Sequence, residues 1–254
     1  MKHFLIALNC LLLSICSGCA SNEQNEIIPN ASLHVLLIDL SKGDEALDVR
    51  RSTYSQNASK IVEALQTGDR IIVAPINESS LSSSLLIADH KFGIFAPTTD
   101  NPMYIKKQKK NFDLLFQQAK DSLVAIIDVE LKMLPESQST DVFGGVHFAY
   151  AALSSNDFTS KNLVLISDME EYSSNYKFNT GQFDENRNAA IIDKEKKSAR
   201  GIPNLSKVNI YVFGADSRDN NRLYEIRNFW IAYFESSGAN LEIKNYGSRV
   251  LEYP

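Results

Sequence analysis

The chain is 254 residues long, 44% apolar and 22% charged, with 26 lysines and arginines against 31 aspartates and glutamates and only three cysteines. That length allows one large domain or two small ones, and the apolar content is ample for a buried core, which excludes disordered, collagen-like and disulfide-scaffold chains. A net charge of −5 excludes general affinity for phosphate backbones, which rests on clustered positive charge, so no nucleic-acid partner is expected.

Lys2 and His3 precede an apolar run from Phe4 to Ile15, interrupted only by Asn9 and Ser14, and the small residues Ser17 and Gly18 lead to Cys19. About a dozen apolar residues are too few to span about 30 Å of hydrocarbon at about 1.5 Å per residue, but they suit the core of an export signal. Residues 1–18 are therefore expected to be a signal peptide. Cys10, Cys16 and Cys19 all lie within the first 19 residues, so the folded part relies on its core rather than on disulfides.

The stretch Cys16-Ser17-Gly18-Cys19 resembles a bacterial lipobox, with Cys16 where leucine is commonest. The resemblance implies that Cys19 carries acyl chains such as palmitate. Each buried methylene contributes about 0.8 kcal/mol, and more than one chain gives stable membrane attachment. Ala20 in place of Asp implies, by the sorting rule of enteric bacteria, the outer membrane of the cell envelope. Residues 19–32 read as the lipidated cysteine and a polar tether containing Pro29, and no later segment is long and apolar enough to cross a membrane.

Residues 33–254 alternate strands and helices. Leu33 to Leu40 is a nearly continuous aliphatic run, the pattern of a strand buried on both faces of a parallel sheet. Tyr54 to Gln66 places Ala58, Ile61, Val62 and Leu65 at helical spacing and stops at Gly68. Arg70 to Ile76 repeats the strand pattern, and Leu85 to Ala88 is expected as a short strand. Met103 to Leu134 is a long helical region with Phe112, Leu115, Phe116, Ala119, Leu123, Ile126 and Ile127 expected on one buried face, closed by Pro135. Val142 to Leu153 is the next helix, capped by Thr140 or Asp141. Asn162 to Ser167 and Val208 to Phe213 are strands, Ala189 to Ala199 and Asn221 to Ser237 are helices, and Leu241 to Ile243 is expected as a last edge strand. Buried strands separated by such helices call for right-handed crossovers, which makes the fold class α/β: one doubly wound, mostly parallel sheet with helices on both faces.

In such sheets ligands bind beyond the carboxyl ends of the strands. There the sequence places Asp39 and Ser41 after the first strand, Ser139-Thr140-Asp141 before the middle helix, and Asp168 after the Asn162 strand. Carboxylate and hydroxyl oxygens are the hard ligands that Mg²⁺ or Mn²⁺ prefers. Singly, each residue also reads as a helix cap; three loops meeting at one end of the sheet are what point to a metal.

This pattern resembles the von Willebrand factor A family, whose metal-ion-dependent adhesion site is written D-x-S-x-S, then a threonine in a later loop, then an aspartate at a strand end. Asp39 and Ser41 match the first two positions, Thr140 the threonine and Asp168 the last aspartate, while Gly43 stands where the family has its second serine. The resemblance covers roughly residues 33–243. It implies a fold of the same class, a Mg²⁺ or Mn²⁺ ion held by Asp39, Ser41, Thr140 and Asp168 with water in place of the missing hydroxyl, and a protein partner whose acidic side chain completes the metal shell. The expected function is protein binding at the envelope with no catalysis. A Mg²⁺-dependent hydrolase using Asp39 and Asp168, and a metal-free scaffold favoured by Gly43, are the alternatives.

Other features carry less. The runs Lys106 to Lys110 and Lys194 to Lys197 read as solvated helix faces or contacts with anionic lipid. His34, His90 and His147 lack metal-ligand spacing, and His34 reads as a satisfied core residue. No phosphate loop, dinucleotide fingerprint or nucleophile elbow is present. The stretch Tyr172 to Asp184 is long for a connection, and its Tyr172, Tyr176, Phe178 and Phe183 form either an interaction surface or a packed loop.

Overall fold

The computed structural model describes residues 30–41, 47–78, 80–81, 85–155, 157–215 and 220–254. The export-signal and Cys19 lipidation readings, and Gly43, lie outside the described residues, as does all but the end of the tether.

In chain order the elements are β1 (Ser32–Asp39), α1 (Leu47–Ala64), β2 (Arg70–Ile76), β3 (Ala88–Lys91), α2 (Pro102–Met133), α3 (Val142–Ala152), β4 (Ser160–Ile166), α4 (Glu185–Lys197), β5 (Val208–Phe213), α5 (Asn220–Ser236) and β6 (Tyr246–Gly247). They build one six-stranded sheet in the order β3-β2-β1-β4-β5-β6, parallel throughout except for β3 against β2. Helices cover both faces, so the fold is the doubly wound α/β kind, with the strand order of Rossmann sheets.

The aliphatic runs become the central strands because both of their faces meet helices. Along β1, Leu33, Val35 and Leu37 point to one side, where they pack with Val142, Phe143 and Val146 of α3 and Phe229, Trp230 and Tyr233 of α5. Leu36 and Ile38 point to the other, toward Tyr54, Ala58 and Ile61 of α1 and Leu123, Ile127 and Leu131 of α2. Strand alternation thus divides one run between two cores.

Three expectations need correction. Leu115 and Ile126, placed on the buried face of α2, are exposed, because the sheet accepts only the line through Leu123, Ile127 and Leu131. The short strand expected at Leu85 to Ala88 instead runs Ala88–Lys91, as an antiparallel edge on β2. Leu241 to Ile243 is no strand: Leu241 is buried in the core, a single 3₁₀ turn follows at Ile243–Asn245, and the edge pairing falls on Tyr246 and Gly247.

At the amino-terminal end of the sheet His34 is buried in a polar network, as expected of a core residue. Its Nδ1 lies 2.6 Å from the Tyr253 hydroxyl and 3.3 Å from Asn162 Nδ2, and its Nε2 lies 3.5 Å from Asp69 Oδ2. Burial would raise the Asp69 carboxyl, but bonds from His34 and from the Gln66 and Ser32 N–H groups outweigh it and hold the group below its usual range.

Candidate functional site

The chain leaves β1 toward β2 on one side and later places β4 on the other, so the sheet reverses its winding between β1 and β4. Loops part at such a switch, which makes the carboxyl ends of these two strands a natural site.

Asp39 closes β1 and is buried. Its Oδ1 accepts the Ser41 N–H at 2.8 Å, a tight Asx-type turn, and its Oδ2 accepts the Ser167 hydroxyl at 2.6 Å from β4's end. Ser167 Oγ in turn accepts the Met169 N–H at 2.8 Å. Asp168, between them, is half-buried and its Oδ1 accepts the Glu170 N–H at 2.9 Å. Met169 has a φ of 65°, sparsely populated for a residue with a side chain, and its carbonyl accepts the Trp230 indole N–H at 2.8 Å. A buried tryptophan on α5 therefore locks the turn that presents Asp168.

The loop before α3 joins the same place through its backbone. Ser137 N–H donates to Leu40 C=O at 2.8 Å, and Thr140 exchanges backbone bonds of 2.8 and 3.0 Å with Tyr172. Buried Thr140 is thereby held between the β1 loop and the loop after β4, while the α3 cap falls to Asp141, whose Oδ1 accepts from Gly144 N–H at 2.8 Å.

Two carboxylates share this end of the sheet with one guanidinium. Burial raises the Asp39 carboxyl above its usual range, against the pull of the Ser167 and Ser41 bonds and of Arg50. Burial, then the Asp39 charge, push Asp168 up to about 8. Arg50 is itself buried and its Nη2 donates to Glu136 Oε1 at 2.7 Å. A buried and a half-buried carboxylate with a shared, already engaged counter-charge are the electrostatic setting that a divalent cation relieves.

The donor set suits Mg²⁺ or Mn²⁺: carboxylates of Asp39 and Asp168 with hydroxyls of Ser41 and Thr140, all hard oxygens. Among the described residues no three His, Cys, Asp or Glu side chains form a metal-holding group, so a cation here rests on two carboxylates with hydroxyls and water.

Three contributors escaped the sequence reading. Ser167 directly precedes Asp168 and links it to Asp39. Arg50 falls on the helical line of Tyr54, Ala58 and Ile61 in α1, so an arginine on an apolar face was its signal. Glu171 is fully buried, and its Oε2 accepts from Val142 N–H at 2.7 Å and Phe143 N–H at 3.3 Å at the N-terminus of α3. Nothing in its spacing marked it. In the loop that follows, Tyr176, Phe178 and Phe183 are buried against α3 and α5, so of the two readings of these aromatics packing holds for three, and only Tyr172 is exposed.

No family model and no curated relative matches the chain by sequence. Among solved structures it is similar to the pilus adhesin SpaC from Lactobacillus rhamnosus GG, at 12% identity and a TM-score of 0.43, over 86% of this chain and 28% of that one. It is similar to the minor pilin PilB from Streptococcus sanguinis, at 12% identity and a TM-score of 0.43, over 87% of this chain and 56% of that one. A von Willebrand factor type A protein from Catenulispora acidiphila matches at 10% identity and a TM-score of 0.31, over 82% of this chain and 43% of that one. The chain thus spans just over half of the second of these and less of the other two. Likenesses of this degree say nothing of ligand or partner.

Proposed function

We propose that this chain is a membrane-anchored lipoprotein of the bacterial envelope whose domain binds another protein through a divalent cation at the carboxyl end of its sheet, without catalysing a reaction. The observation that carries the reading is the joining of Asp39, Ser167 and Asp168 across the β1/β4 switch, with Ser41 and Thr140 brought to the same end by backbone bonds. Asp39, Ser41, Thr140 and Asp168 would hold Mg²⁺ or Mn²⁺. The ion would supply a positive centre with a position open to a carboxylate of the partner. Ser167 and the Ser41 N–H orient Asp39, Arg50 moderates the two negative charges, and Trp230 fixes the turn carrying Asp168.

The test is thermal unfolding of the purified protein in EDTA and in millimolar Mg²⁺ or Mn²⁺. Binding to the native state alone adds about 2.7 kcal/mol at a hundredfold excess over Kd. The expected result is a raised Tm with the ion that Asp39→Ala abolishes, together with loss of partner binding by that variant while it stays folded. No shift with either ion, or partner binding kept in Asp39→Ala, overturns the metal-dependent reading. Anchoring has its own readout: labelled palmitate should enter the wild type and not Cys19→Ser.

A further inference from the structure

The 32-residue helix α2 buries only Lys120, Leu123, Ile127 and Leu131. About 130° around the same helix, at 3.6 residues per turn, runs a second apolar line that the other described residues leave uncovered. Tyr104, Leu115, Ile126, Val129 and Met133 lie on it within a sector about 60° wide. They are 47 to 74% exposed. The gaps along the line are filled by Gln108, Asn111 and Ser122, so no charged residue interrupts it from Tyr104 to Met133. A solvated helix face is polar; this one is an apolar seam that no other described residue covers.

The charge along α2 indicates what covers it. The half from Pro102 to Gln117 carries four lysines, Lys106, Lys107, Lys109 and Lys110, against Asp113, a net of +3. The half from Gln118 to Met133 carries Asp121, Asp128 and Glu130 against Lys120 and Lys132, a net of −1. A second α2 laid antiparallel matches the basic half to the acidic half twice, once at each end, as a two-fold interface requires. Parallel pairing stacks lysines on lysines, which like-charge repulsion opposes.

We propose that two copies of this chain associate through antiparallel pairing of their α2 helices along the Tyr104 to Met133 line. With the two-fold axis between Gln118 and Ala119, Leu115 lies against the partner's Ser122, Asn111 against the partner's Ile126, and Tyr104 against the partner's Met133. Lys107 and Lys110 then flank the acidic half of the other copy. The seam is about 44 Å long and about 10 Å wide. That is about 900 Å² for the pair, below the roughly 1,200 Å² at which stable specific interfaces begin, so the dimer is a weak one that dissociates on dilution and in salt. The pairing is independent of the site at the sheet end and does not rest on the cation reading.

The test places the photocrosslinker benzoylphenylalanine at Leu115 or at Ile126 in the full 254-residue chain, irradiated in the cells that express it. The expected product has twice the mass of the chain, and its crosslinked peptides join the segment around residue 115 of one copy to the segment around residue 122 of the other. With the probe at Ile126, Leu115→Lys with Val129→Lys should reduce that product at least tenfold while leaving Tm unchanged, since both residues are exposed. Reversing Lys107 and Lys110 to Glu should do the same, and adding Asp121→Lys, Asp128→Lys and Glu130→Lys should restore it. An absent product, adducts only to other proteins or to lipid, or peptides joining residue 115 to residue 115 would each overturn the proposal.

Discussion

Glu171 shows how one enclosed side chain sets a property of the whole. Its Oε2 satisfies the first two N–H groups of α3, a position that favours a charged carboxylate, and yet burial prevails and pushes the group up to about 8 from 4.5. Between those values the native protein holds a proton that the unfolded chain has released. Stability therefore falls as pH rises from about 4.5 to about 8, by at most about 1.4 kcal/mol per pH unit from this group, and levels above that. Tm measured from pH 5 to 9 should decline less steeply in Glu171→Gln than in the wild type, since the amide oxygen keeps the two N–H bonds without a titrating proton. Equal slopes would refute the assignment. Glu171 could not be read from the sequence, because an acidic residue in a polar stretch carries no mark of the helix end that the fold brings to it.

Among the elements, α3 depends on closeness. A Cβ at Gly145 would stand 3.2 Å from Leu37 Cδ1 and 3.4 Å from Ile76 Cγ1, so the helix lies directly on β1 and β2 at this point. One at Gly144 would meet the Asp141 carboxylate at 2.0 Å, in the place of the cap itself. Gly145→Leu should cost about 3 kcal/mol or more in urea unfolding through overpacking, whereas Gly145→Ala should be near neutral because the helix-propensity gain of about 1 kcal/mol offsets a small shift of a methyl group. Gly144→Ala should lose the cap, a cost of about 1 kcal/mol that cancels the same propensity gain and leaves the variant no more stable than the wild type. The pair of glycines was legible in the sequence only as part of an apolar helix; what they touch belongs to the packing. For α2 the periodicity was correctly seen but the buried face was drawn too wide, since Leu115 and Ile126 share its spacing and yet face away from the sheet.

At the scale of the molecule, the C-terminal segment closes one face of the sheet. Asn57 of α1 donates to Ser248 C=O at 3.1 Å and accepts from Val250 N–H at 3.2 Å, Lys60 Nζ donates to Val250 C=O at 3.1 Å, and the Tyr253 hydroxyl reaches His34. Val250 is buried in the α1/α2 core, which Tyr253 flanks. Removing residues 249–254 should lower stability by about 3 kcal/mol or more in chemical denaturation, by uncovering apolar surface and leaving buried polar groups unpaired. Tyr253→Phe, which removes only the hydroxyl, should cost about 1 kcal/mol. Loss in the truncation no larger than in Tyr253→Phe would show that the tail contributes only through His34.

The sequence by itself determined the α/β class, the order of the main strands and helices and the loops where acidic and hydroxyl residues gather, because strands buried on two faces and helices buried on one leave different periods in a chain. It also marked Asp39, Ser41, Thr140 and Asp168 one by one. Tertiary structure alone decided that Ser167 joins two of those loops, that Arg50 and Trp230 support them, that Glu171 is enclosed beneath α3, and which line of α2 stays uncovered. These are relations between residues about 30 to 130 positions apart, set by the winding of the sheet and the close approach of its helices, and local pattern carries no record of them.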